Sequence, residues 1–367
     1  MSQTRPGGRA TPCRIRSGAG RGASINTHDA IVIGAGQAGL AAGFHLKRAG
    51  LRFAILEAEA TAGGSWRRYY DSLLLFSPAH YSSLPGFPFP GDPDHYPTRD
   101  EVIAYLQEYA AKFKLPIVTN ARVVSVERDD EFHITLANNE TLHTRTLIAA
   151  TGSFGNPYIP DIPGRAEFRG RVLHAFDYRE PSSFAGQRIV VVGGANSAVQ
   201  IGYELARVAR VTLALRTRIH WSPQRILGKD GHFWLRLTGL DYVRILRDMS
   251  TPVVDPGFYR RAIKAKRPDA RKMFTRFTEH GVVWANGEEE RIDTVILATG
   301  YRPNLHYLDR LGALRPDGRP LQRNGVSTTV SGLYYVGLSG QRNFASATLR
   351  GVGPDAERVV RRLVQSL

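Results

Sequence analysis

The chain has 367 residues, 42% of them apolar and 22% charged, which is enough to build two packed domains. It contains no apolar run of roughly 18 residues, so no membrane span is expected, and its single cysteine, Cys13, excludes an internal disulfide framework, a CxxC redox pair and a cysteine-rich metal site. The formal net charge of +16 sits largely in two blocks: residues 1–28 carry five arginines and no acid, and residues 202–280 carry 17 Lys and Arg against 7 Asp and Glu.

Residues 1–27 are rich in Gly, Arg, Ser and Thr and are expected to be a disordered basic tail. Pro6-Gly7-Gly8 and Gly18-Ala19-Gly20 make a poor amphipathic targeting helix, and no apolar core for a secretory signal is present; an upstream-start artefact is one reading of this tail. The apolar strand Ala30-Ile31-Val32-Ile33 then runs into Gly34-Ala35-Gly36-Gln37-Ala38-Gly39. A helical segment follows from Leu40 to Arg48, closed by Gly50, and the strand Phe53-Ala54-Ile55-Leu56 ends in Glu57. This is a βαβ unit whose glycines allow a tight turn and close approach to a pyrophosphate at a helix N-terminus. Glu57 lies 18 residues after Gly39, where a carboxylate can bond a ribose hydroxyl. The competing reading is a glycine-rich turn in an ordinary α/β fold.

Gly63-Gly64-Ser65-Trp66-Arg67 forms the next turn, and residues 77–97 read as a Pro/Gly/aromatic loop. Thr98-Arg99-Asp100-Glu101 matches a capping box and predicts a helix to about Phe113. Strands near Val123–Arg128, Phe132–Leu136 and Thr146–Ala149 suggest a small β-meander, the last of them running into Ala150-Thr151-Gly152.

A second glycine turn begins about 160 residues after the first. The strand Arg188-Ile189-Val190-Val191-Val192 leads into Gly193-Gly194-Ala195-Asn196-Ser197-Ala198, a helix to about Val208, and the strand Val211–Leu215. Ala195 replaces the second glycine and suggests a slightly wider approach to phosphate. Arg216 and Arg218 stand where the first unit has its acid. A basic residue there suits the 2′-phosphate of NADPH better than a bare ribose, although surface arginines are common in this chain. Two such sites suggest a two-cofactor protein in which a nicotinamide delivers hydride to a tightly held flavin.

Segment 217–272 is basic and aromatic, with Trp221, Phe233, Trp234 and Tyr242; it caps a substrate entry or is a plain helical insertion. Its positive potential suits a phosphate-rich cofactor. Nucleic-acid binding competes for this charge, but none of the usual aromatic-and-basic modules is present, so no nucleic-acid partner is expected. The strand Thr294–Leu297 enters Ala298-Thr299-Gly300, repeating the earlier Ala-Thr-Gly turn, and the pair marks the crossings between two domains. The strand Leu333-Tyr334-Tyr335-Val336-Gly337 precedes Gly351-Val352-Gly353-Pro354, which opens a C-terminal helix whose N–H groups could face a flavin.

With these residues in hand, residues 28–367 resemble the NADPH-using, flavin-dependent monooxygenases with two dinucleotide-binding domains. The most specific match is Phe168, Gly170, His174 and Tyr178, which fit the family fingerprint F-x-G-x-x-x-H-x-x-x-(W/Y) just before the second glycine turn. Tyr178 stands where Baeyer–Villiger enzymes usually have Trp, and no Pro-Gly pair follows Gly63–Trp66, which points toward heteroatom or unassigned oxygenation. The runs 75–81 and 340–351 resemble a bacterial subgroup of flavoproteins.

The resemblance implies an α/β fold of two Rossmann-like domains: an FAD domain (28–158 and 297–367) carrying the β-meander, and an inserted NADPH domain (159–296). His174 and Tyr178 are the catalytic candidates, with His174 positioning domains rather than carrying a proton. The implied cofactor contacts are Gly34, Gly36, Gln37, Ala38, Gly39, Glu57, Gly64, Ser65, Trp66, Thr151, Gly152, Gly193, Ala195, Asn196, Ser197, Arg216, Arg218, Gly337 and Gly351. The implied reaction uses NADPH, O2 and a C4a-hydroperoxyflavin to oxygenate a small N- or S-nucleophilic molecule. Trp66, Tyr69, Phe76, Tyr81 and Phe344 are candidate walls of its water-excluding chamber. A cytoplasmic chain without a metal or membrane partner is expected, with a homodimer allowed. The alternatives are an NAD(P)H-dependent flavoprotein reductase or oxidase and a flavin-binding regulatory protein.

Overall fold

A computed structural model describes residues 28–240 and 252–367. The expected basic tail (1–27) and Tyr242 lie outside the described residues. The strand Ala30–Ile33 is buried along its whole length and sits in a seven-stranded sheet. Its order runs from the edge hairpin Gln322–Arg323 and Val326–Ser327 through Leu333–Tyr335, Leu147–Ala149, Ala30–Ile33 and Phe53–Leu56 to Ile117–Val118; the last five strands are parallel. The helix α1 (Gln37–Arg48) covers one face, and two apolar clusters flank the sheet. The helix α2 (Arg99–Lys112) begins with the expected capping box: the Thr98 hydroxyl accepts from the Glu101 N–H, and the Glu101 carboxylate accepts from the Thr98 N–H.

The β-meander forms with a different third strand. Thr141–Thr144, not Thr146–Ala149, pairs antiparallel with Phe132–Leu136. Leu147–Ala149 is buried on both faces and lies in the parallel sheet between Ala30–Ile33 and Leu333–Tyr335. An unbroken apolar run suits such a central position, while the partly exposed Thr141–Thr144 suits a solvent-facing sheet.

A five-stranded parallel sheet has the order Asp269–Lys272, Arg210–Leu215, Arg188–Val192, Thr294–Leu297, Arg171–His174. The helix α3 (Asn196–Leu205) packs on it, ending earlier than the expected Val208. Segment 217–272 is not the plain helical insertion that was one reading. It holds the parallel pair Trp221–Pro223 and Val253–Asp255, the hairpin Arg225–Ile226 and Lys229–Asp230, and the short helices α4 (Gly231–Thr238) and α5 (Tyr259–Lys264). The C-terminal helix α6 (Leu349–Val364) begins two residues before Gly351 and packs along α1.

The two Ala-Thr-Gly turns lie where the chain passes between the sheets. The crossing chains run side by side: the Asn304 N–H donates to the Gly152 carbonyl and the Tyr158 N–H to the Gly300 carbonyl, both at 2.9 Å. The Thr151 hydroxyl donates to the Asn304 carbonyl at 2.6 Å, and the Thr299 hydroxyl donates to the Tyr158 carbonyl.

Gly39 tests the packing beneath the first turn. A Cβ there would sit 1.8 Å from the Gly34 carbonyl oxygen, a backbone atom that cannot yield locally, whereas a Cβ at Gly231 meets nothing within 4 Å. Gly39→Ala should lower stability by about 1–3 kcal/mol despite alanine's helix preference. Gly231→Ala should shift it by no more than about 0.5 kcal/mol. Equal shifts for the two variants in urea unfolding would refute the close contact.

Candidate functional site

One cavity of 1190 Å³ reaches both glycine turns and is lined by Gly34, Gly36, Gly193 and Asn196 among others. That volume exceeds the range usual for a single small ligand. The first turn is built by contact between backbones. Gly34 has φ +101°, and a Cβ there would lie 2.9 Å from the Ala150 carbonyl oxygen. A Cβ on Gly64 would lie 3.0 Å from the Gly36 Cα, so the turn after Ala62 presses on the first glycine loop.

Gln37 joins three elements here. Its side-chain oxygen accepts from the Trp66 indole N–H at 2.7 Å, and its amide donates to the Ala347 carbonyl at 3.3 Å. Glu57 is buried; it accepts from the Ala35 N–H at 2.8 Å and the Glu59 N–H at 3.0 Å, bracing the glycine turn against the strand end. Burial raises its pKa, opposed by those backbone bonds.

The second turn has the same logic. Gly193 has φ +140°, and its Cβ would lie 2.5 Å from the Ala298 carbonyl oxygen. Ala195 sits at φ −99°, a conformation open to any residue, so its methyl group fits the turn without strain. The Asn196 amide is engaged by protein: it donates to the Pro252 carbonyl at 3.2 Å and accepts from the Val254 N–H at 3.3 Å. Arg216 and Arg218 line the cavity after the strand Arg210–Leu215, and neither is ion-paired among the described residues.

Three helix N-termini face this cavity. The N-caps of α1, α3 and α6 are Gly36, Ala195 and Thr348; none makes a side-chain capping bond, and no acid occupies any of the three first turns. By contrast, α2 and α4 are capped by Thr98 and Asp230. Uncapped backbone donors at a helix start favour anionic or carbonyl oxygen. The cradle therefore fits two pyrophosphates and the polar edge of a flavin ring. The loop before α6 is held by an ion pair to the buried Asp355, with Arg342 Nε donating to Asp355 Oδ1 at 2.6 Å, while Ser346 Oγ accepts from the Arg342 and Asn343 N–H groups at 3.1 Å. Burial raises the Asp355 pKa.

Aromatic rings run across the cavity between the turns. Ring centroids are 5.2 Å apart for Trp66–Tyr69, 4.9 Å for Tyr69–Phe154, 4.8 Å for Phe154–Tyr301 and 5.0 Å for Tyr301–His174. Burial pushes Tyr301 up to about 12 and Tyr69 well above its ordinary value, so both phenols stay neutral. His174 Nδ1 accepts from the Phe176 N–H at 3.0 Å, which leaves Nε2–H to donate to the Gly300 carbonyl at 3.2 Å. Burial lowers its pKa, and the neutral ring pins a crossing chain.

The expected residues Gly34, Gly36, Gln37, Ala38, Glu57, Gly64, Ser65, Trp66, Thr151, Gly152, His174, Gly193, Ala195, Asn196, Ser197, Arg216, Arg218 and Gly337 all line the cavity. Three others do not. Gly39 and Gly351 lie behind it as packing contacts, each with a Cβ position 1.8 Å from a backbone oxygen. Tyr178, expected among the catalytic set, is fully buried in the core and donates to Glu204 Oε2 at 2.8 Å; burial and that carboxylate push its phenol pKa up. Among the expected walls, Trp66, Tyr69, Phe76 and Phe344 line the cavity, while Tyr81 packs on His80 and His232 instead. Phe154, Tyr301 and Thr348 escaped the sequence reading; the first two follow the repeated Ala-Thr-Gly turns, which was the signal available.

Comparisons with known proteins agree with this fold. A family model described as pyridine nucleotide-disulphide oxidoreductase matches residues 31–337. The uncharacterized oxidoreductase CzcO-like of Geobacillus kaustophilus is 36% identical over 338 residues, covering 90% of this chain and 97% of that protein. The indole-3-pyruvate monooxygenase YUCCA4 of Oryza sativa subsp. japonica is 30% identical over 397 residues, covering 94% of this chain and 89% of that protein. The solved flavin-containing monooxygenase from Stenotrophomonas maltophilia superposes with a TM-score of 0.84 at 34% identity, covering 93% of this chain and 99% of that one.

The state of His174 has a thermodynamic consequence. Because its folded pKa lies below the unfolded value, the unfolded chain takes up a proton that the folded chain refuses. Stability contributed at this position is therefore lost as pH falls below about 6.5. His28 and His45 are also depressed, mainly by burial, and act in the same direction. His174→Gln should flatten the fall in stability between about pH 7 and 5.5, by at most about 1.4 kcal/mol per pH unit. Denaturant midpoints measured across that range check this, and a parallel slope in the variant would contradict it.

Proposed function

The chain belongs to the pyridine nucleotide-disulphide oxidoreductase family, in its flavin monooxygenase-like branch with FAD and NADPH as cofactors, and on that premise we propose that it oxygenates a small organic molecule with a nucleophilic nitrogen or sulfur. The observation that carries this reading is the single cavity joining two glycine turns, into which three uncapped helices point.

We assign residues 28–158 and 297–367 to FAD and 159–296 to NADPH. The amides opening α1 would hold the FAD pyrophosphate, and those opening α3 the NADPH pyrophosphate. Glu57 keeps acceptor capacity for a ribose hydroxyl. Arg216 and Arg218 would take the 2′-phosphate. The amides of Leu349 and its neighbours would meet the flavin's pyrimidine edge. When bound, the two cofactors supply hydride transfer and dioxygen activation. The aromatic run from Trp66 to Tyr301 excludes water from the space between the turns, and His174 keeps the crossing chain at Gly300 in register with that wall.

With Cys13 as the only cysteine, the chain has no dithiol pair for disulfide reduction within itself. The fingerprint at 168–178 and the Stenotrophomonas neighbour favour oxygenation over a plain reductase.

Two measurements test the reading. Arg216→Gln and Arg218→Gln together should raise KM for NADPH by about 10–100-fold while changing KM for NADH little, the size expected from losing charge-assisted bonds to one phosphate; equal changes for both nucleotides would refute the phosphate role. A panel of amines and thioethers, incubated with NADPH and isotopically labelled O2, should yield a product bearing one labelled oxygen. NADPH use that ends only in hydrogen peroxide with every compound would overturn the monooxygenase reading.

A further inference from the structure

Asp230 is an acid that a surface segment has little reason to bury. Its side chain is 9% exposed, beside His232 at 8%, and carboxylates reach that burial only when donors compensate them. Oδ1 accepts from the His232 N–H and from His232 Nδ1–H, both at 2.7 Å. Oδ2 accepts from the Tyr96 hydroxyl, 134 positions earlier in the chain. The His232 ring stacks on Phe76 with centroids 5.8 Å apart and planes at 22°, and lies 5.9 Å from Tyr81. Phe76, Tyr81 and Tyr96 belong to the flavin half, and Phe76 lines the cavity. Asp230 and His232 belong to the insertion in the other half.

The same insertion is fastened at its other end. Trp221–Pro223 pairs with Val253–Asp255, and the Asn196 amide at the start of α3 grips the backbone of Pro252 and Val254. Residues 221–240 are thus tied to the second glycine turn on one side and to loop 76–96 on the other. The geometry points to a strap: we propose that Tyr96, Asp230 and His232 form a latch that fastens residues 221–240 to loop 76–96 and act as positioning residues for Phe76 in the cavity lining. The strap exposes Arg225, Lys229 and Arg236, and the Trp234 indole N–H donates to the Ile226 carbonyl at 3.0 Å, which ties α4 back to the hairpin. The positioning of Phe76 beside the cofactor rests on the proposed presence of a flavin in the cavity; the latch itself does not.

The test uses the flavin-loaded protein, with Tyr96→Phe as the main variant because it deletes one oxygen and leaves the ring. Asp230→Ala removes the whole latch, and Asp230→Asn retains an acceptor for His232 and an amide for Tyr96. Two quantities are read: the rate of tryptic cleavage at Arg225, Lys229 and Arg236, and the quenching of bound-flavin fluorescence by iodide. Tyr96→Phe should speed cleavage by about tenfold and raise the iodide quenching constant at least twofold, with flavin content unchanged. Asp230→Asn should sit closer to the parent than Asp230→Ala. Parental cleavage rates in Tyr96→Phe overturn the latch. Faster cleavage with unchanged quenching overturns the positioning of the cavity wall. A protein that takes up no flavin fails the functional reading instead, and the cleavage rates still decide the latch.

Discussion

Backbone N–H groups at three helix starts are left without side-chain partners, and the cavity is organised around them. A helix end normally satisfies its first amides with Ser, Thr, Asp or Asn, as α2 and α4 do. At Gly36, Ala195 and Thr348 this does not happen, and no acid in the first turns competes for the positive end of the helix. Those donors are costly to leave bare in a cavity walled by aromatic rings, and in the proposed reading two pyrophosphates and the flavin's pyrimidine edge would supply the oxygen acceptors they lack. Glycine at positions 34 and 193 follows from the same demand, because only a residue without Cβ lets the chain turn that tightly against Ala150 and Ala298.

The two halves then have to be held at a fixed separation. The paired crossing chains, the neutral His174 on the Gly300 carbonyl, and the hydrogen bond between the Tyr70 hydroxyl and Gln200 all span that gap. Gln37 extends the scheme beside the first glycine turn by linking Trp66 to the loop that Arg342 and Asp355 brace. A shift in any of these ties would change the distance between the turns rather than the turns themselves.

The glycine turns, their strands and the capping box were legible in the sequence because each depends on residues adjacent in the chain. The two βαβ units read correctly for that reason, as did the place of Arg216 and Arg218 just after the strand Arg210–Leu215. The failures were failures of tertiary context. Leu147–Ala149 follows two antiparallel strands and reads as their continuation, but its burial on both faces places it in the central sheet. Tyr178 belongs to a fingerprint that marks the family, yet its hydroxyl is spent on Glu204 in the core. The Asn196 amide and the latch at Asp230 depend on partners dozens of positions away, for which local pattern gives no signal. Phe154 and Tyr301 could have been reached from the repeated turns, since an aromatic placed after the same crossing motif twice is a positional coincidence worth following.

The central claim is that a nicotinamide and a flavin share this one cavity closely enough to pass an electron pair directly. Mixing the flavin-loaded protein with NADPH in the absence of oxygen measures it. The account predicts that the oxidised flavin absorbance bleaches in a first-order process whose rate saturates with NADPH and does not depend on protein concentration. Flavin that stays oxidised, or bleaching that speeds up in proportion to protein concentration, would contradict it.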